Sequence, residues 1–335
     1  MSDAGTTRRA GPEPLSAALV MHPDCARHDT GWGHPEHQGR LPAVVQALYR
    51  NTPALLDHLL QHEARPVSEQ QLQRVHSAPH IELVRSAAAD AARTGAPVNF
   101  EPDTVVSAAS WDAAVAAAGC AVDAVGLVLT DRARTAFAVC RPPGHHATQD
   151  RAMGFCLFNN IAVAARAAQA EHGIERVLII DWDVHHGNGT QDIFYDDGRV
   201  YYASLHLGHH YPGTGAAEER GVGGGRGTTL NVPLEAGTTA DVYLRLFEDT
   251  LARACEESRP ELVLVSAGYD CLLGDPLGGL RLEPEHIHRM TRLVVERAQE
   301  TAAGRVVAAL EGGYVPQRVG AGVVATLRAL AGIAY

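Results

Sequence analysis

The chain has 335 residues, 46% of them apolar and 20% charged, the balance of a chain that buries a sizeable core. A formal net charge of −11 excludes sequence-independent binding of nucleic acid through a basic surface, and no nucleic-acid partner is expected. Six cysteines (Cys25, Cys120, Cys140, Cys156, Cys255 and Cys271) form no C-x-x-C pair, which favours reduced thiols over disulfides.

The N-terminal stretch "MSDAGTTRRAGPEP" is charged at its start and has no apolar run of the kind a signal peptide needs. Residues 1–16 read as a disordered tail, residues 17–335 as a single domain, and the location as cytoplasmic. Apolar, β-branched runs mark strands at 16–21, 135–140, 176–180, 200–205, 228–233, 261–266 and 305–310. Helix-compatible stretches lie at 41–62, 110–129, 160–172, 239–258 and 284–303. The most apolar of these, "AAVAAAGCAVDAVGLVLT", is broken by Asp123 and too Ala-rich to read as a membrane span, so no membrane partner is expected. Alternating strand and helix signals predict an α/β fold, a mostly parallel sheet with helices on both faces. "GVGGGRG" at 221–227 lacks the spacing of a dinucleotide loop and reads as a turn into the next strand. Neither a G-x-S-x-G elbow nor a Walker loop is present.

Four of the strands run into loops rich in Gly, Pro and ionisable groups. "TAFAVC" enters "RPPGHHAT", "VLIIDWDVHH" enters "GNGTQD", "ELVLVS" enters "AGYDCLLGDPLGG", and "RVVAAL" enters "EGGYVPQR". Ligands of open parallel sheets bind beyond the carboxyl ends of the strands, so these four loops are expected at one edge. Asp181, Asp183 and His185 alternate along an extended chain and therefore share a face. Two carboxylates and an imidazole so crowded need compensation, and a divalent cation supplies it. Asp183, His185 and Asp270 make three ligands with a coordination position left open, the logic of a catalytic zinc site. His145 and His146, held by two prolines and a glycine, are placed to move protons beside that metal. Asp181 and Asn188 are their candidate orienting partners, and an aspartate favours the charged imidazole more than an asparagine does. Tyr314, after two glycines, can approach the metal and donate its hydroxyl to an oxyanion.

"RPPGHHA", "GFCLFNN", "DWDVHHGNGTQD", "YYASLHL", "YPGTG", "SAGYDCLLGDPLGG" and "EGGY" occur in that order. Together they resemble the zinc-dependent histone deacetylase superfamily, closest to the class II type and its bacterial deacetylase-like amidohydrolases, from about residue 17 to 332. The resemblance implies the arginase/deacetylase fold, an eight-stranded parallel sheet between helices. It implies Zn²⁺ on Asp183, His185 and Asp270, the catalytic pair His145 and His146 backed by Asp181 and Asn188, and Tyr314 polarising the acyl carbonyl. It further implies a structural K⁺ on Asp181, Ser204 and the main-chain oxygens of Asp183, His185 and Leu205. A second K⁺ would involve Phe194, Asp197, Val200 and Thr228. An acyl-lysine tunnel is implied with Gly154, Phe155 and Tyr211 in its wall and Leu277 at its rim. A polyamine-specialised relative carries an acidic residue at that rim position. Asp103 matches an acidic residue that holds the substrate backbone, and Arg40 in "HPEHQGRL" an arginine near an internal acetate channel. The expected activity is deacylation of acyl-lysine in proteins or peptides, with acylated small amines as the alternative substrate and a homo-oligomer possible. A two-manganese hydrolase of the arginase type and a non-catalytic acyl-lysine reader are the other readings. The first needs further bridging aspartates; the second needs neither the His pair nor Tyr314.

Overall fold

The computed structural model describes residues 15–335, so the tail expected over 1–16 lies outside the described residues except Leu15 and Ser16, which already belong to a strand. In chain order the elements are β1 (Leu15–Met21), α1 (Arg40–Leu55), β2 (Leu59–Glu63), α2 (Glu69–Leu72), α3 (Ala78–Thr94), β3 (Val98–Asn99), β4 (Val105–Val106), α4 (Ser110–Leu129) and β5 (Ala133–Ala138). There follow α5 (Asn160–His172), β6 (Val177–Asp181), α6 (Asn188–Phe194), β7 (Val200–Leu207), β8 (Thr229–Leu234), α7 (Ala240–Ser258), β9 (Leu262–Ala267), α8 (Pro284–Thr301), β10 (Val306–Leu310) and α9 (Pro316–Leu330).

Every residue of β6, β7, β9 and β10 is buried, which is why these strands read as continuous apolar runs rather than alternating ones. They lie in an eight-stranded sheet of order β2-β1-β5-β10-β9-β6-β7-β8, parallel throughout. Helices α1, α9, α8 and α7 pack on one another over one face, and α4 and α5 over the other. Helix α4 is long and apolar enough to cross a bilayer, but here it is a core helix, largely buried against β1, β5 and α5. All six cysteines are buried free thiols.

The expected helix over 41–62 is corrected. Pro53, which has no N–H to give, sits in the last turn of α1, and the helix stops at Leu55. Residues 59–63 instead pair in parallel with β1, Ala17 opposite Leu59, and become the edge strand β2. The pattern "LLQHE" buries one end and exposes alternate residues, so local sequence did not distinguish it from the end of an amphipathic helix. Helices α3 and α9 were not anticipated. The first is framed by an Ser77 N-cap and by Gly95 in the left-handed region (φ 71°); the second starts at Pro316.

The four strands that end in polar loops, β5, β10, β9 and β6, are consecutive in the sheet. Because they are parallel, their loops emerge side by side at one edge.

Candidate active site

Asp183, His185 and Asp270 present ligand atoms that all lie within 4.8 Å of one another, and all three residues are buried. Nδ1 of His185 stands 3.0 Å from Asp183 Oδ1 and 3.3 Å from Asp270 Oδ2. Burial opposes charge on the His185 ring, yet the two facing carboxylates push its pKa up to about 10. The same burial lifts the Asp270 carboxyl to about 7, with the negative charge of Asp183 adding to it. The carboxylate oxygens are otherwise well supplied. Asp183 accepts from the N–H of Gly312 at 2.8 Å and of His185 at 2.9 Å, and Asp270 Oδ1 from the N–H of Val184 at 2.9 Å. Asp270 Oδ2 is the exception, buried without a hydrogen-bond partner. A buried oxygen so left costs free energy unless a cation takes it. The backbone also leaves room: a Cβ on Gly312 would lie 2.1 Å from Asp270 Oδ2 and 2.6 Å from Asp183 Oδ2. Two carboxylates, an imidazole and one orphan oxygen fit a divalent metal with an open position.

The histidine pair follows the expected division. His145 Nδ1 is 3.0 Å from Asp181 Oδ2, which also accepts from the Tyr202 hydroxyl at 3.0 Å. His146 Nδ1 is 2.8 Å from Asn188 Oδ1. An amide oxygen only accepts, so His146 carries its proton on Nδ1 and keeps a free Nε2. Burial disfavours charge on both rings. The carboxylates of Asp183 and Asp181 reverse that for His145 and raise its pKa to about 10, whereas the charges of His145 and His185 drive His146 further below the ordinary value. The two rings are thus pushed in opposite directions, His145 toward the charged form and His146 toward the neutral base.

A cavity of about 330 Å³ opens onto these groups, lined among others by His146, His185, Phe155, Tyr211, Leu277 and Tyr314. Gly154 and Asp103 also line it. Gly154 (φ 55°) and Phe155 (φ 68°) are both left-handed, a conformation strained for phenylalanine, and a Cβ at 154 would meet the His146 ring at 2.4 Å. This turn sets the Phe155 ring edge-on to Tyr314, centroids 5.7 Å apart, while the Tyr211 ring stands edge-on to His146 at 5.1 Å. Arg40 does not line the cavity. It is fully buried behind Tyr314, its guanidinium carbon 5.4 Å from that ring's centroid, and donates to the main-chain oxygens of Glu311 and Gly313.

Asp181 and Ser204 face each other across β6 and β7. His206 Nε2 is bonded to the Gly215 carbonyl at 3.0 Å, so it carries the ring proton, and the Ser204 hydroxyl donates to Nδ1 at 2.8 Å. The Ser204 lone pairs are thereby left free for a cation. Phe194, Asp197 and Val200 are linked by main-chain hydrogen bonds, Asp197 N to Phe194 O at 3.0 Å and Val200 N to Asp197 O at 3.3 Å, while the Thr228 carbonyl accepts from Tyr202 N at 2.8 Å. The Asp197 carboxylate is already paired with Arg166 at 2.6 Å and Arg199 at 2.7 Å.

Sequence reasoning passed over several residues that hold this site. Asp275 accepts from the N–H of Tyr314 at 2.6 Å and of Leu277 at 3.0 Å, tying the tyrosine to the rim. Glu311 accepts from the loop that carries the histidines. Both stand in the quoted "GDPLGG" and "EGGY", beside residues whose roles were assigned. His34 and His210 line the cavity, and the His210 ring stacks on His185 at 5.0 Å; nothing in their spacing pointed there.

Comparison with known proteins agrees with this geometry. Residues 34–330 match the histone deacetylase domain family. The histone deacetylase-like amidohydrolase of Pseudomonas aeruginosa is 38% identical, over 97% of this chain and 83% of its own length. Histone deacetylase 15 of Arabidopsis thaliana is 40% identical over 89% of this chain, which spans about half (53%) of that protein. The human polyamine deacetylase HDAC10 is 36% identical over 95% of this chain and 48% of its own. Among solved structures, the HDA15 HD domain superposes with a TM-score of 0.89 at 38% identity, covering 96% of this chain and 89% of the other. The chain belongs to the histone deacetylase family, has its fold, and is a hydrolase of that family.

Proposed function

We propose that this member of the histone deacetylase family hydrolyses the amide of acyl-lysine side chains, acetyl-lysine foremost, in proteins or peptides. The observation that carries the reading is the convergence of Asp183, His185 and Asp270 within 4.8 Å at a cavity also lined by His146 and Tyr314. Asp183, His185 and Asp270 would hold Zn²⁺, which when bound supplies a Lewis acid for the acyl carbonyl and the attacking water. The chain's own groups do the rest. Phe155 and Tyr211 orient the acyl chain between their rings. The free Nε2 of His146 takes a proton from the water as its oxygen attacks the carbonyl carbon, and returns one to the nitrogen as the C–N bond breaks, leaving carboxylate and amine. The His145 imidazolium, fixed by Asp181, holds positive charge beside the reacting centre. The Tyr314 hydroxyl donates to the carbonyl oxygen as it becomes negative. We further assign a structural K⁺ to Asp181, Ser204 and the main chain of Asp183, His185 and Leu205. The freed lone pairs of Ser204 support that assignment.

Substrate choice rests on the rim. Leu277 places an apolar side chain there, and Asp103 is the one carboxylate among the cavity-lining residues, which suits an amide-bearing peptide more than a second amine. The test compares kcat/KM on acetyl-lysine peptides and N-acetylputrescine, in the parent and in Tyr314→Phe. The peptide is expected to be preferred, and the variant to keep its metal while losing about 10²–10³ in kcat. A preference for acetylputrescine would move the substrate to small amines, and parent-like turnover by Tyr314→Phe would remove the tyrosine from the reaction.

A further inference from the structure

Glu311 is buried without exposure at the end of β10, and its carboxylate is spent on another strand's loop. Oε2 accepts from the N–H of Gly144 at 2.7 Å and of His145 at 3.1 Å; Oε1 accepts from the Ser266 hydroxyl at 3.1 Å. Arg40 meanwhile holds the main-chain oxygen of Glu311. The two amides have a particular place. They are the first N–H groups after Pro142 and Pro143, which have none, and they directly precede the His146 side chain. The carbonyl of His145 is taken from the opposite side by Thr190 N at 3.1 Å. His145 is thus gripped at both ends of its peptide unit, by a carboxylate from β10 and by the start of α6. A buried carboxylate is costly unless it is satisfied, and here the loop's amides satisfy it.

We propose that Glu311 is a positioning residue for the histidine pair: it locks the loop after β5 to the strand whose next residues are Gly312, Gly313 and Tyr314, so that one strand end sets the proton carriers and the oxyanion donor together. The inference rests on the deacylase reading of the site. Side-chain length is the critical property. Glutamine keeps it, and its single oxygen can take both amides while its NH₂ turns to Ser266. Aspartate keeps the charge but is one methylene short, and alanine leaves both amides bare.

The experiment uses the full chain, metal-loaded, as Glu311→Gln, Glu311→Asp and Glu311→Ala. It reads kcat and KM on an acetyl-lysine peptide, metal per chain, and amide hydrogen exchange over residues 140–150. Asp and Ala are expected to lose on the order of 10² in kcat with KM changed less than about threefold, since ångström misplacement of reacting groups acts on the chemical step. Their metal content should match the parent, and exchange at Gly144 and His145 should quicken. Gln should return to within about tenfold of the parent kcat. If Ala fails to fold, Asp carries the test. Parent-like kcat or unchanged exchange in a folded Asp or Ala variant overturns the proposal, as does a Gln variant as damaged as Asp. A parent that turns over no acylated substrate defeats the deacylase reading instead, while the exchange measurement still decides whether Glu311 holds the loop.

Discussion

Replacing Gly312 by alanine tests the metal site without touching a ligand. The backbone permits it, because Gly312 does not occupy the left-handed region. The new methyl does not fit. Its carbon would lie 2.1 Å from Asp270 Oδ2 and 2.6 Å from Asp183 Oδ2, distances real Cβ contacts do not show below 3.0 Å. Asp270 would have to retreat by about 0.9 Å and Asp183 by about 0.4 Å, against a tolerance of roughly 0.2 Å in metal–ligand distance. Disturbing the groups around metal ligands costs about 10–100-fold in affinity, or about 1.4–2.8 kcal/mol, and two displaced carboxylates put this variant at the upper end. The assay is chelator competition with zinc-loaded protein, with metal per chain measured after dialysis. Gly33→Ala is the control, since nothing stands within 4 Å of that Cβ. Zinc affinity within threefold of the parent in folded Gly312→Ala would show that the cation does not sit between these carboxylates.

Three further outcomes follow from the same structure. His76 is buried and bridges Thr148 O and Asn159 N on the flanks of the catalytic loop, and burial, with the nearby His80, pushes its pKa down to about 3. A base depressed in the folded state stabilises fully above its unfolded value near 6.5 and loses that contribution as pH falls toward 3, so at pH 5 it should cost about 2 kcal/mol. Urea unfolding at pH 7.5 and 5.0 should therefore show His76→Gln losing about 2 kcal/mol less than the parent between the two; equal losses would remove His76 from the acid response. Leu277→Glu adds a carboxylate to the rim and should raise kcat/KM for acetylputrescine relative to an acetyl-lysine peptide by about 2–5-fold, the worth of a half-exposed ion pair. An unchanged ratio would mean that the rim does not read the second amine. Asp275→Asn can satisfy only one of the Tyr314 and Leu277 amides with its remaining oxygen, and should lower kcat about tenfold with KM little changed. A kcat equal to the parent's would show that Tyr314 holds its place without this anchor.

The site was more legible in the sequence than its supports were. Asp183, His185 and Asp270 announced themselves because strands buried on both faces tolerate ionisable residues only at their ends, and the parallel order then forced those ends together. The edge strand β2 was hidden for the converse reason: "LLQHE" is half exposed, and only its pairing with β1 makes it a strand. Arg40 shows what motif matching leaves out. Its match in "HPEHQGRL" is to an arginine near an internal acetate channel; the structure adds that its guanidinium is shared between Glu36 Oε1 at 2.9 Å and carbonyls of the β10 loop. Such roles depend on partners hundreds of residues away, and no local spacing encodes them.

The buried carboxylates at this edge can be told apart by what satisfies each one. Asp181 has His145, Tyr202 and the N–H of Asp183. Asp183 has the amides of Gly312 and His185. Glu311 has two amides and a hydroxyl, and needs no cation. Glu36 is held between Arg40 and Arg141. Glu36 Oε2 and Asp270 Oδ2 are the two of these oxygens without a hydrogen-bond partner, and only Asp270 stands with Asp183 and His185. The Glu36 carboxylate carries two guanidiniums, whereas Asp270 has no arginine partner and its bare oxygen faces the His185 ring at 3.3 Å. That allocation points to where a cation fits, because a carboxylate satisfied by fixed dipoles has little left to offer a metal, whereas one left bare at zero exposure is stabilised by an ion beside it.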